Sequence, residues 1–202
     1  HNFMKNECFL PPGEDASCPY FWPIGNRYIF LFFSHTTGSQ YLLGDYNKEE
    51  HCFYPTFHGR FNFMSFLPGG VHAPSATSDG EGGVIVIHNM HTGKKSPGWR
   101  GITTLPRKLT LDKCDTINIQ PYGDYKSLRT HHQHIDKTHL PANKEIIIDN
   151  IQGNALEIKA EINIKSSPMI EMNVLRSPDK EEFTSIKFFK DRGVDLVRTN
   201  PA

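Results

Sequence analysis

From residue 156 to 164 the sequence reads Leu-Glu-Ile-Lys-Ala-Glu-Ile-Asn-Ile, with apolar and polar residues alternating without a break. Successive side chains of a β-strand point to opposite faces, so a period of two over this length describes an extended strand with one wet face and one buried face. Helical periodicity is nearly absent elsewhere, while short β-rich runs recur at 28–33, 41–44, 83–89, 102–105, 108–111 and 116–120. Turn residues separate these runs. Thr36-Thr37-Gly38-Ser39 predicts a hairpin between the first two, and Asp79-Gly80-Glu81-Gly82-Gly83 leads into the strand at 84–87. The result is an antiparallel meander of the kind that builds propeller blades or sandwiches. Phe30, Phe32 and Phe33 belong to its core.

The polar stretch around His131-His132-Gln133-His134 interrupts this pattern. It divides the chain into a first domain at 1–124, a linker at 125–142 that opens with one short helical turn, and a second domain at 143–202. In the second domain the runs 144–148, 155–164, 170–176 and 183–190 predict longer strands, enough for part of a β-sandwich. The predicted class is all-β throughout.

Composition narrows the function. Lys plus Arg and Asp plus Glu number 22 each, so no net field steers the chain toward nucleic acid or an anionic membrane, and a neutral ligand fits best. The longest apolar run, 28–33, is too short to cross a bilayer. Four cysteines, Cys8, Cys18, Cys52 and Cys114, lack the spacing of a zinc site and read mainly as free thiols, with a disulfide within 8–52 left open. Histidines 131, 132, 134 and 139 have no cysteine or carboxylate at ligand spacing and read as a solvated connection rather than a metal site. Gly80 to Gly83 precedes a strand and lacks the Gly-Lys-Ser/Thr ending of a phosphate loop.

One stretch is far more specific. Gly98-Trp99-Arg100-Gly101-Ile102-Thr103-Thr104-Leu105-Pro106-Arg107-Lys108-Leu109-Thr110-Leu111 resembles the Gly-Trp-x-Gly-x-x-x-Leu-Pro-Arg-x-Leu-x-Leu signature of glycoside hydrolase family 32, the invertases, inulinases and levanases. Other segments resemble that family in its own order: Asn6-Glu7-Cys8, the strand at 28–35, Tyr41-Leu42-Leu43-Gly44-Asp45-Tyr46-Asn47, the pair at 59–63 and 69–90, the exit at 120–129, and Phe188-Phe189-Lys190-Asp191-Arg192-Gly193 near the end of the sandwich. The resemblance implies the rear blades of a five-bladed propeller followed by an incomplete β-sandwich. It implies a retaining hydrolase of β-fructofuranosides such as sucrose, inulin or levan, working without metal or organic cofactor.

In that reading Glu7 is the general acid that protonates the departing glycosidic oxygen and then the base that activates water. Such an acid must hold its proton near neutrality, which apolar surroundings like Phe9 and Leu10 favour. Cys8 lies beside it as a substrate-binding residue. Retaining hydrolysis needs a second carboxylate as nucleophile, and the family's Asn-Asp-Pro and Arg-Asp-Pro segments do not occur here. Lacking both, the chain, which begins at His1 rather than Met, is expected to be the back half of a propeller, inactive alone, with a missing N-terminal part of the same enzyme as partner. Two further positions depart from the family. His72 stands where members carry an aromatic, and Asn89 where they carry Trp, so both are expected to hydrogen-bond sugar hydroxyls instead of stacking on a ring. Asn62 replaces an aspartate. Trp99 reads as the packing anchor of a blade rather than as pocket lining. A fructosyltransferase, and a non-catalytic carbohydrate-binding or interaction module descended from such an enzyme, are the alternatives.

Overall fold

The computed structural model describes residues 10, 13–61, 70–91, 98, 99, 101–191 and 193–199, the last stretch by its backbone. The chain divides into two compact units, His1–Ser127 and Leu128–Ala202. It is all-β: apart from one 3-10 turn at Tyr125–Leu128, every regular element among the described residues is a strand.

The first unit holds two antiparallel sheets. Strands β1 (Ser17–Ile24), β2 (Arg27–Ser34), β3 (Gly38–Asn47) and β4 (Cys52–Arg60) form a meander in chain order. The second sheet contains β5 (Gly70–Ser78), β6 (Val84–His91), β7 (Ile102–Thr103), β8 (Arg107–Leu111) and β9 (Ile117–Pro121) in the order β5-β6-β8-β9. There β6 is shared along its length, since Val84 to Val86 pair with β8 while Asn89 and Met90 pair with β7. Prolines mark the edges. Pro19 and Pro23 lie in β1, Pro55 in β4, Pro74 in β5 and Pro121 in β9, all edge strands, where a missing N–H breaks no interior ladder.

Alternation on β2 decides the packing. Ile29 and Leu31 point to one face with Ile24 and Leu43 and meet Val84, Val86 and Leu109 of the second sheet, all buried to within 1 %. Fully burying such side chains contributes about 1.5–3 kcal/mol each, so this interface dominates the unit's stability. The opposite face of the first sheet carries a ladder of rings: Phe21 stacks on Tyr28 at 5.2 Å and meets Tyr46 and Phe53 edge-on at 5.3 and 5.2 Å.

Polar ties close one end of the interface. The Gly25 N–H donates to the Gly82 carbonyl at 2.7 Å, joining the β1–β2 turn to the β5–β6 turn. Arg27 bridges the sheets: Nε lies 2.8 Å from Asp45, Nη1 2.5 Å from Asp115 in the β8–β9 turn, and Nη2 donates to Thr56 at 2.5 Å. Lys108 reaches Asp79 at 2.6 Å, and with the Glu81 and Gly83 N–H groups it holds that carboxyl down to about 2.

In the second unit, β10 (Met169–Val174), β11 (Phe183–Phe189) and β12 (Gly193–Thr199) form one antiparallel sheet. The strands expected at 170–176 and 183–190 correspond to β10 and β11. Those expected at 144–148 and 155–164 do not form: neither joins a sheet among the described residues, and Ile147 and Ile158 stay 60 % and 49 % exposed. Period two specifies which side chains share a face, but a strand also needs a neighbour to complete its ladder, and none is present for those segments among the described residues.

Gly44 shows how closely the first sheet is built. A register shift lies between Leu43 and Gly44, and a Cβ at Gly44 would come within 2.2 Å of the Tyr54 carbonyl oxygen and 2.7 Å of Pro55 Cα. Both obstacles are backbone and cannot rotate away. Gly44→Ala is expected to destabilise the first unit by about 3 kcal/mol through overpacking, measured as a lowered midpoint in denaturant unfolding; an unchanged midpoint would show that β4 is not held against β3 there.

Candidate functional site

The buried polar residues of the first unit gather at the end opposite Arg27. β1 begins there, with Ser17 opposite Phe33; β2 ends there, with Ser34 opposite Gly38; and Gln40 faces Arg60 of β4. The second sheet contributes the start of β5 and the end of β6. The His72 ring lies 5.4 Å from Phe33, and the His88 ring 4.9 Å from Phe61. Ser34, Ser39, Gln40 and His88 are 0 % exposed here and His58 3 %.

Two adjacent carboxylates grip this end. Glu14 accepts hydrogen bonds from the Ser34 hydroxyl, from Thr36 at 2.6 Å and from Thr37 at 3.1 Å. Burial pushes its pKa up, but those three hydroxyls outweigh it and hold the group below its ordinary value. The network continues inward: Gln40 Nε2 donates to Thr37 at 2.5 Å, and Gln40 Oε1 lies 2.6 Å from His58 Nε2. Burial, reinforced by the Arg60 charge, lowers the His58 pKa to about 4, against the pull of Glu14. His58 is therefore neutral at pH 7, and Nε2 carries the proton that Gln40 accepts.

Asp15 takes His35. Its Oδ1 accepts the His35 backbone N–H at 2.9 Å, its Oδ2 lies 2.6 Å from His35 Nδ1, and Ser17 donates to Oδ2 at 2.8 Å. The His35 side chain, opposed by burial, holds Asp15 well below the usual carboxylate range. From His35 a row of rings crosses to the second sheet: His35 to Phe33 at 4.9 Å, Phe33 to His72 at 5.4 Å, and His72 stacked on His91 at 4.5 Å. Burial first, then the neighbouring His91, lowers the His72 pKa, although a backbone contact at Gly70 opposes them.

His72 and Asn89 are register partners across β5 and β6, so the two expected sugar-binding residues lie side by side, His72 half-buried and Asn89 exposed. The pairing breaks just beyond them at a bulge, where Ala73 takes a positive φ of 43°. A neutral imidazole and a carboxamide each offer both a donor and an acceptor, which matches a hydroxyl-rich ligand. Glu7 and Cys8 lie outside the described residues, as do Asn62 and Arg100. Trp99, read as a packing anchor, is 50 % exposed. Cys18, Cys52 and Cys114 are free thiols. The linker histidines are exposed, and no three His, Cys, Asp or Glu side chains among the described residues are arranged to hold a metal ion.

The carboxylates Glu14 and Asp15, with His35, His58 and His91, are members of this cluster that sequence reasoning missed. Every carboxyl among the described residues with a displaced pKa, namely Glu14, Asp15, Asp79, Glu145 and Asp179, is displaced downward. None of these is tuned as a proton donor at neutral pH, a role that requires a raised value.

No protein-family model matches the chain, and no curated protein sequence matches it. Among solved structures it is similar to a glycoside hydrolase of family 32 from Bifidobacterium adolescentis, with a TM-score of 0.51 at 12 % identity. The similarity covers 92 % of this chain but 30 % of that one, so the chain spans under a third of its length. At this identity the likeness is one of fold.

His88 is the member most open to a direct check, because both its ring nitrogens are buried and neither makes a hydrogen bond among the described residues. Burial, with Arg107 and His72 nearby, lowers its pKa from 6.5 to about 4. A histidine whose folded pKa is lowered takes up a proton more readily when unfolded, so stability falls as pH drops from about 6.5 toward 4. His88→Leu is expected to flatten that part of the pH–stability curve and to raise stability at pH 7 by about 1–3 kcal/mol, read from unfolding midpoints. An unaltered pH slope would mean that His88 is not protonated on unfolding in this range.

Proposed function

We propose that this chain is the rear portion of a retaining β-fructofuranosidase, acting on sucrose, inulin or levan. The observation that carries the reading is an agreement between independent sources: the 98–111 segment resembles the family 32 signature, and the fold is similar to a family 32 structure over 92 % of the chain. In this reading Glu7 donates a proton to the departing glycosidic oxygen and then takes one from water. A nucleophilic aspartate from blades outside this chain faces it across the furanose ring, at the roughly 5–5.5 Å separation that retention requires. Cys8, His72 and Asn89 bind sugar hydroxyls. The lowered pKa values of Glu14 and Asp15 support leaving the acid role to Glu7. Fructosyl transfer would use the same groups with a sugar hydroxyl in place of water.

A non-catalytic carbohydrate-binding module is the second reading. It is favoured by the carboxyls with displaced pKa among the described residues, none of which is raised as a proton donor requires.

Calorimetric titration of the chain with sucrose and short inulin oligosaccharides tests what both readings share. Binding is expected, and His72→Ala or Asn89→Ala is expected to weaken it about tenfold through loss of a hydrogen bond. Absence of binding to every β-fructofuranoside would contradict the proposal. Fructose release separates the two readings: it is expected only when the aspartate-bearing blades are supplied, and it should then vanish in Glu7→Gln. Release that survives that substitution would remove Glu7 from the mechanism.

A further inference from the structure

Residues 156–164 keep the sequence of a half-buried strand while lacking a strand's partner. Positive φ angles occur at Gly153 and Lys165 but nowhere between them, and neither turn nor bend occurs from 156 to 164. Between described residues, no backbone hydrogen bond is made by 158–163. Leu156 and Ile158 are 43 % and 49 % exposed. With Asn154 they form one side of a groove of about 350 Å³, whose other side is Val174, Leu175 and Ile186 of the β10–β11 region.

The segment is complementary to itself. Laid antiparallel to a second copy about a two-fold axis through Ala160, it sets Lys159 opposite Glu161 and Glu161 opposite Lys159. The same register sets Ile158 opposite Ile162, Leu156 opposite Ile164, and Glu157 opposite Asn163. All apolar residues then share one face and all polar residues the other. Sliding by two residues in one direction places Lys159 against itself and Glu157 against Glu161; sliding in the other places Glu161 against itself. Like charges directly opposite destabilise a pair of strands and unlike charges stabilise it, so charge favours this register over those two residues to either side. Lys159 and Glu161 form no ion pair among the described residues, whereas Glu157 is already held by Arg129 at 2.7 and 2.5 Å.

We propose that this chain forms a symmetric dimer in which residues 156–164 of two copies pair as antiparallel strands. The pairing completes the backbone hydrogen bonds of the segment. It also turns the apolar residues of both copies toward the groove beside β10 and β11, giving the single sheet of the second unit an opposing layer. Isolated two-stranded pairs are marginal in water, and the contact with that groove supplies the apolar burial such a pair lacks alone.

Sedimentation velocity of the full chain over a wide concentration range tests this. A monomer–dimer equilibrium is expected. Lys159→Glu alone and Glu161→Lys alone should each weaken dimerisation by about tenfold or more, because each places like charges at both symmetric positions. The double variant should recover it, and an equal mixture of the two single variants should dimerise where neither does alone. Hydrogen exchange in wild-type protein gives a second readout: amides within 156–164 should gain protection as the dimer forms. A monomer at every concentration, an oligomer indifferent to the single reversals, a double variant that fails to recover, or amides that exchange equally fast in the dimer would each overturn the proposal.

Discussion

Everything in the first unit follows from the contact between its two sheets. Ile24, Ile29, Leu31 and Leu43 on one side and Val84, Val86 and Leu109 on the other exclude water almost completely. Side chains alternate along every strand involved, so that contact also orients the residues at the strand ends. At one end it aligns the Gly25 and Gly82 turns and lets Arg27 reach Asp45 and Asp115. At the other it brings Phe33 of β2 against His72 of β5, and through them joins Asp15 to His91.

The two ends differ in chemistry. At the Arg27 end, charges are satisfied in pairs and tie the sheets together. At the histidine end, imidazoles are buried beyond what their hydrogen bonds offset, as the low pKa values of His58 and His88 record. Taking such polar groups out of water costs stability. Glu14 and Asp15 precede β1 and grip the β2–β3 turn.

The sequence was most legible where local pattern and tertiary role coincide. Strands β2, β3, β6, β8 and β9 stand out as β-rich runs, and the turns at 36–39 and 79–83 carry their own glycines. Strands β1 and β4 were hidden by Pro19, Pro23 and Pro55, because proline argues against a strand until the strand is known to lie at an edge. The start of β5 emerged only through the family resemblance. The histidine cluster left no motif: Asp15 and His35 are 20 residues apart, and Gln40 and His58 are 18 apart, so hairpin register alone makes them neighbours. His72 and Asn89 were named individually, but their pairing across β5 and β6 needed the sheet. In the second unit the alternation at 155–164 gave no strand: only Ile162 and Ile164 of that run are partly buried, and no neighbouring strand completes its ladder among the described residues.

The central claim is that the sheet contact builds a sugar-facing end at the histidines. Amide and imidazole chemical-shift mapping during titration with a short inulin oligosaccharide tests it most directly. The account predicts that perturbations cluster on the turn after β2, on 70–72 and on 89–91. Perturbations confined to the Arg27 and Asp115 end, or to the second unit, would contradict it.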